Sequence, residues 1–168
     1  MKFTSTFAVL VLAAAGVAAD FASFKVETRG IHTSVNDLST LLVATQGASY
    51  AEALKIDAAA KKLNNDLKTA TGNAPKTITK AQGYALLTIL GQTYQNVTVI
   101  SQRLQDLQPV WTQKGIAGIV KSDISALVAS IKSFGGTLVT AAPESLKAPA
   151  NKLVTKYLVS VNAALAVY

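Results

Sequence analysis

The chain has 168 residues, of which half are hydrophobic, with no cysteine, one histidine and a net charge of +7. The absence of thiols excludes disulfides and cysteine-ligated metal sites, so the fold has to be stabilised by a packed core. A single histidine leaves too few of the usual ligands for a zinc site, and we expect neither a metal nor a cofactor.

A secretory signal peptide is predicted at residues 1–19. Lys2 supplies its positive charge, residues 7–15 (FAVLVLAAA) form its apolar region, and residues 17–19 provide small side chains for cleavage. The apolar run is shorter than the roughly 20 residues that span a bilayer, so no transmembrane segment is expected. We therefore expect a secreted, extracellular protein, with the cell wall as an alternative destination, whose mature part is a single domain over residues 20–168.

Two amphipathic helices are predicted in the first part of the mature chain, because apolar residues recur there at helical spacing. The first stripe consists of Phe24, Ile31, Val35, Leu38 and Leu42, and Gly47 is expected to end the helix. The second helix opens with a capping-box pattern at residues 49–52, in which two side chains satisfy free backbone donors. Its stripe consists of Ala53, Ile56, Ala60, Leu63, Leu67 and Ala70.

Another capping-box pattern, at residues 79–82, opens a long third helix. Its stripe consists of Leu86, Leu90, Val97, Ile100, Leu104, Leu107 and Trp111. Gly91 is expected to kink or divide this helix, and Gly115 or Gly118 to end it. The fourth stripe is the most regular and consists of Val120, Ile124, Leu127, Ile131, Phe134 and Leu138. Gly135 and Gly136 predict a frayed end for the fourth helix.

The fifth helix is predicted to begin near Pro143, or at Pro149 if its first turn is separate. Its stripe consists of Leu146, Ala150, Leu153, Tyr157, Val161, Leu165 and Tyr168. Short connections make consecutive helices neighbours in most bundles. The sequence therefore predicts an all-α, antiparallel bundle of about five amphipathic helices without disulfides.

Several stretches carry a resemblance to a known family. They are the cysteine-free five-helix pattern behind a signal peptide, GIAGIVKSDISALVASI at residues 115–131, and PESL at residues 143–146 leading to AALAVY at residues 163–168. Together they resemble the fungal hydrophobic surface-binding protein A family, which includes cell-wall galactomannoproteins. The resemblance implies a secreted or wall-associated protein without a catalytic site, which adsorbs to hydrophobic surfaces or holds fatty acids between its helices.

Catalysis and nucleic-acid binding are both disfavoured by the inventory of residues. No nucleophile turn, phosphate loop or dinucleotide fingerprint is present, and the carboxylates are spread over several segments without a paired arrangement. His32 lies beside the first stripe, where it is interpreted as a boundary histidine and not as a general base. The aromatic residues do not interleave with a basic patch, so no nucleic-acid partner is expected. We expect a protein that is not an enzyme.

Binding of apolar material takes one of two forms. A long-chain fatty acid or similar lipid lies between the helices, or the protein adsorbs to a hydrophobic surface. The expected lipid-binding residues are Leu86, Leu90, Thr93, Val97, Ile100, Leu104, Ile124, Leu127, Ile131, Phe134, Leu153 and Tyr157. Thr93 is assigned to the lipid head group, although a hydroxyl bonded to its own helix is the commoner arrangement.

The alternative is a structural cell-wall or surface-coat mannoprotein without a discrete small ligand. Scattered lysines leave weak attraction to cell-wall polysaccharide or anionic lipid as a secondary option. Asn96, in the sequon at residues 96–98, is the candidate site for N-glycosylation, which would require it to face outward.

Overall fold

Five α-helices make up the described part of the chain, which in this computed structural model comprises residues 5–47 and 49–168, with side chains from residue 20 onward. Their bounds are α1 Ser5–Ala44, α2 Tyr50–Gly72, α3 Lys80–Gln113, α4 Ala117–Ala141 and α5 Glu144–Leu165. No strand occurs among these residues, which confirms the all-α prediction. The predicted leader lies largely outside the described residues, since residues 1–4 and the side chains of residues 5–19 are not part of them.

The two capping boxes differ in how completely they form. At the start of α3, the Thr79 hydroxyl accepts from the backbone of Gln82, and the Gln82 side chain accepts from the backbone of Thr79. At the start of α2, the Ser49 hydroxyl accepts from the backbone of Glu52 at 3.1 Å. The Glu52 carboxylate accepts instead from the Thr45 hydroxyl at 2.9 Å, which ties α2 to the end of α1.

The helix bounds correct two predictions and confirm two others. Gly91 does not divide α3, which continues to Gln113, and the helix ends before Gly115, which takes a φ of +73°, as expected. The fourth helix does not fray at Gly135 and Gly136 but runs on to Ala141. The fifth helix begins at Glu144 directly after Pro143, as predicted, and its first turn is not separate.

Gly135 is retained inside α4 because α5 packs against it. A Cβ atom at this position would lie 2.7 Å from Cγ2 of Val154. Gly83 serves the same purpose in α3, where a Cβ atom would lie 2.5 Å from Cδ1 of Leu146. Both glycines let α5 approach closely. The contacts that a glycine cannot make are supplied by Val154 and Leu146, which pack against its backbone.

The helices form a closed ring in the order α1, α2, α4, α5, α3 and back to α1. Successive helices alternate in direction, so α1, α3 and α5 run one way while α2 and α4 run the other. Contrary to the expectation from short links, α2 and α3 do not touch in the described chain, and α3 and α4 touch only slightly. In a ring of five helices, every apolar stripe faces the same axis. The burial of all five stripes outweighs the tendency of consecutive helices to pair.

The predicted stripes form the core around that axis. Phe24, Leu42, Ala70, Trp111, Ile124 and Ala164 are among its most deeply buried members. Of the described helices, α4 alone is long and apolar enough to cross a membrane by length and composition. Its apolar residues include Ile124, Leu127, Phe134 and Leu138, which belong to this core. A buried core helix can have the same length and composition as a membrane-spanning one.

Candidate functional site

An apolar cavity of about 100 Å³ lies on the axis of the ring, and all five helices contribute to its wall. We call it the axial cavity. On α3 its lining extends from Leu86 to Leu104, which corresponds to about 27 Å at a rise of about 1.5 Å per residue. With C–C bonds of about 1.52 Å, an extended chain of 16 carbons spans roughly 19 Å. The axial cavity is therefore long enough for a common fatty acid, but narrow.

All twelve residues that the sequence assigned to lipid binding line the axial cavity. Sequence reasoning missed the contributions of the first two helices, which are Ile31, Val35, Leu38, Leu63 and Leu67. These residues belong to the apolar stripes predicted for the first two helices, so their burial could be predicted from the sequence. Which stripes share one cavity depends on the order of the ring, and that order has no signature in a single sequence.

Besides the buried Ser101 hydroxyl, which donates to a backbone carbonyl of α5, one polar position interrupts the apolar wall, where α1, α3 and α5 meet. The Thr93 hydroxyl is fully buried and donates to the carbonyl of Ile89 at 2.8 Å. The same oxygen lies 2.9 Å from Nδ1 of His32 in α1. The phenol of Tyr157 in α5 donates to the carbonyl of Leu90 at 2.7 Å, and burial raises its pKa above the usual range. Thr93 thus forms the own-helix bond that the sequence left as an alternative, with His32 as a second partner.

Lys156 provides a positive charge just outside this polar position. Its ammonium lies 5.7 Å from the centre of the Tyr94 ring, and the Tyr94 ring lies edge-on to Tyr157 at 5.5 Å. A cation over the face of an aromatic ring is attracted by the ring quadrupole. Lys156 of α5 therefore lies near the polar position of the cavity wall without having its charge buried.

A second cavity, of about 230 Å³, adjoins the axial one toward the end where α2 and α4 begin. We call it the lateral chamber. The residues that line both spaces are Leu38, Ile100, Leu104, Ile124 and Leu127. The two cavities are thus separated by a single layer of apolar side chains. No pattern in the sequence predicted this second space.

Three charged residues lie on the wall of the lateral chamber between α2 and α4. The Lys61 ammonium lies 2.8 Å from the Asp57 carboxylate one turn earlier in α2. Asp123 of α4 also lines the chamber. Its pKa is raised to about 6, first because the carboxyl is partly buried and then because the Asp57 carboxylate lies beside it. The two carboxyl groups consequently repel each other at neutral pH.

Two other predicted features can be located. Among the described residues, no group of three His, Asp or Glu side chains is placed to hold a metal ion. Asn96 lies in the middle of α3, where its side chain is partly exposed and donates to the Asn36 side chain of α1 at 3.4 Å. The sequon is therefore at the α1–α3 seam, and its modification stays a prediction.

Comparisons with known proteins find relatives of the fold alone. No protein-family model matches the chain, and no curated protein sequence matches it. Afmp4p in complex with palmitic acid superposes with a TM-score of 0.82 at 20% identity, covering 88% of this chain and 98% of that one. Ligand binding domain 2 of the Penicillium marneffei MP1 protein, complexed with multiple arachidonic acids, gives 0.80 at 14% identity, with coverage of 87% and 94%. Ligand binding domain 1 of the same protein, complexed with arachidonic acids, gives 0.81 at 11% identity, with coverage of 88% and 97%.

Proposed function

We propose that this protein is a secreted, non-catalytic carrier of a long-chain fatty acid, which it holds in the axial cavity. The observation that carries the proposal is the cavity itself, an apolar space on the ring axis that is long enough for an extended 16-carbon chain and has the buried Thr93 hydroxyl in its wall. The proteins of similar fold are described as complexes with palmitic and arachidonic acids, which supports the same class of ligand here. The signal-peptide pattern at residues 1–19 supports secretion.

The energetics favour moderate affinity. Burial of about 15 methylenes at about 0.8 kcal/mol each gives a gross gain near 12 kcal/mol. An association cost at the lower end of the range of about 4 to 15 kcal/mol leaves about 8 kcal/mol, which corresponds to a Kd in the micromolar range. The axial cavity is smaller than the roughly 300 Å³ of the smallest ordinary ligand sites. Part-buried lining residues such as Leu90, Ile131 and Leu153 must therefore move aside when the chain enters.

The polar position supplies hydrogen bonds for the carboxylate head group. Thr93 and Tyr157 each donate to a backbone carbonyl of α3. Both hydroxyls can rotate their protons toward a carboxylate, and a charge-assisted bond is stronger than the neutral bond it replaces. His32 then keeps Thr93 oriented through its ring nitrogen.

Adsorption through the outer surface is less well supported. The exposed large apolar side chains are Val26, Val43, Tyr50, Leu54, Tyr84, Val99, Ile119, Val159 and Val167. They are distributed over all five helices and the C-terminus, whereas an adsorbing surface needs one contiguous apolar face. The internal site explains the apolar stripes more directly.

The proposal is tested by organic extraction of the purified protein with mass spectrometry, and by displacement of cis-parinaric acid, a fluorescent 18-carbon fatty acid, with palmitic acid. A co-purifying fatty acid and micromolar displacement are expected. Ile131→Trp should fill the cavity and weaken binding at least tenfold, while Val159→Trp on the outer face of α5 should leave binding unchanged. A clean extract without displacement would contradict the carrier function and favour a structural coat protein.

A further inference from the structure

We propose that the lateral chamber is the entrance to the axial cavity, and that acyl chains pass into it through the cleft between α2 and α4. This inference rests on the proposed function and concerns the same class of ligand, a single-chain fatty acid. It identifies a second acyl-contacting compartment, which neither the sequence nor the fold comparison assigns.

The side chains that line the two spaces differ in exposure. Those of the axial cavity are buried or part-buried, and none belongs to the exposed class. The lateral chamber is lined by Tyr50, Leu54 and Ile119, which are 65%, 51% and 50% exposed. Apolar side chains that face both solvent and a cavity are suited to receive a hydrocarbon chain from water.

The axial cavity and the lateral chamber share part of their walls. The five side chains that they share are all aliphatic, and none carries a polar atom that would have to be desolvated or left unpaired. Leu127 is one of them, at 8% exposure, and it lies on α4 directly behind the cleft. Rotamer changes in this single layer connect the chambers without breaking a hydrogen bond.

Side-chain hydrogen bonds close the α1–α3 and α3–α5 seams at the same end of the ring. Between α1 and α3, the Arg103 guanidinium donates to the carbonyls of Leu42 and Thr45 at 3.2 and 2.9 Å. Between α3 and α5, the Tyr168 phenol donates to the carbonyl of Leu104 at 2.7 Å. These bonds would have to break for a ligand to pass through either seam.

Where the lateral chamber meets the α2–α4 seam, the groups that face each other are two carboxyls. The Ser130 hydroxyl and the Asn64 side chain, 2.6 Å apart, join these helices two turns further on. Lys61 lies on the solvent side with 64% of its side chain exposed, and it neutralises Asp57 more directly than Asp123. Like charges at short range weaken the contact between the two helices instead of fastening it. Beside the lateral chamber, the cleft therefore lacks the side-chain hydrogen bonds that close the α1–α3 and α3–α5 seams.

The absence of native cysteines makes a crosslink across this cleft straightforward to interpret. The test variant is Asp57→Cys with Asp123→Cys, joined by oxidation or, where the thiols do not meet, by a short bismaleimide. Asn36→Cys with Asn96→Cys fastens the α1–α3 seam in the same way and serves as the matched control, because those two side chains are also in contact. Binding of cis-parinaric acid is followed by stopped-flow fluorescence.

Crosslinking across the α2–α4 cleft should slow association of the probe at least tenfold. Reduction of the disulfide should restore the rate, and the crosslinked control should bind at the rate of the unmodified protein. Wild-type association in the crosslinked Asp57 and Asp123 variant would overturn the inference and leave the carrier function intact. Failure of the unmodified protein to bind the probe would overturn both.

A second variant keeps the inference testable if the crosslinked protein does not fold. Ala60 is buried and lines the lateral chamber but not the axial cavity, so Ala60→Phe should obstruct the entrance alone. Association should again slow at least tenfold. An unchanged association rate in folded Ala60→Phe would equally reject the α2–α4 entrance.

Discussion

Gly135 and Gly136 are adjacent in α4 and provide a matched pair of substitutions that tests the packing of the ring. A Cβ atom at Gly135 would lie 2.7 and 2.8 Å from the two methyl carbons of Val154 in α5, whereas one at Gly136 would meet nothing within 4 Å. Neither glycine has a positive φ, so alanine is compatible with the backbone at both positions. The gain in helix propensity, about 1 kcal/mol, is therefore the same for both.

We expect Gly136→Ala to raise the free energy of unfolding by about 0.5 to 1 kcal/mol. In Gly135→Ala the same gain is offset by overpacking against the stiff valine, which costs about 1 to 3 kcal/mol. At about 2 to 4 °C per kcal/mol for a domain of this size, the Tm of Gly135→Ala should be about 2 to 12 °C below that of Gly136→Ala. Thermal unfolding followed by circular dichroism measures the difference.

A second substitution shows whether the contact with Val154 causes the loss. Val154→Ala should restore most of the stability of Gly135→Ala, because it removes both crowded methyl carbons. In the Gly136→Ala background, the same change should only remove packing and lower the Tm. Equal Tm values for Gly135→Ala and Gly136→Ala would mean that α5 does not approach α4 at this point, and the reasoning about ring packing would be refuted.

Four further outcomes are expected. Because the pKa of Asp123 is raised to about 6 from 3.8, its stabilising contribution is present below about pH 3.8 and is lost as the pH rises through 6. After allowance for solvent screening, Asp123→Asn should recover about 1 kcal/mol above pH 7, and a pH-independent difference from wild type in urea unfolding would contradict this. Ile124→Ala should lower the free energy of unfolding by about 2 to 5 kcal/mol and weaken fatty-acid binding, because Ile124 is buried and lines the axial cavity; unchanged stability in urea unfolding would contradict its place in the core. Thr93→Val should weaken palmitic-acid binding by about 3- to 10-fold in the displacement assay while the protein stays folded, and unchanged affinity would place the head group elsewhere. N-terminal sequencing of protein from culture medium should begin at Asp20 or within a few residues of it, and recovery of an intact Met1 from a cytosolic fraction would contradict secretion.

Local features of the fold could be predicted where a short segment of sequence contains all the relevant groups. The capping box at Thr79 and Gln82 formed as expected, because its donors and acceptors are only three residues apart. The second box formed only in part, since Glu52 found a better partner in Thr45, which belongs to the preceding helix. The prediction of a frayed end at Gly135 and Gly136 was also wrong because a residue from another helix intervenes. Glycine weakens an isolated helix, but here Val154 of another helix fills the space beside it.

The number of helices and their apolar faces could be predicted from the sequence, because helical periodicity is a local property that each stripe carries independently. The twelve residues proposed to bind lipid line the axial cavity, and their contact with a ligand stays a prediction. The closure of the helices into a ring in the order α1, α2, α4, α5, α3 became visible only in the fold, and it brings Ile31 and Leu63 to the same space as Leu127. The lateral chamber and the opposed carboxyls of Asp57 and Asp123 likewise arise between helices that are not consecutive in the chain. The physical reason is that burial of apolar surface is not directional. The hydrophobic effect requires each apolar stripe to be covered, but it does not specify which of the other stripes covers it.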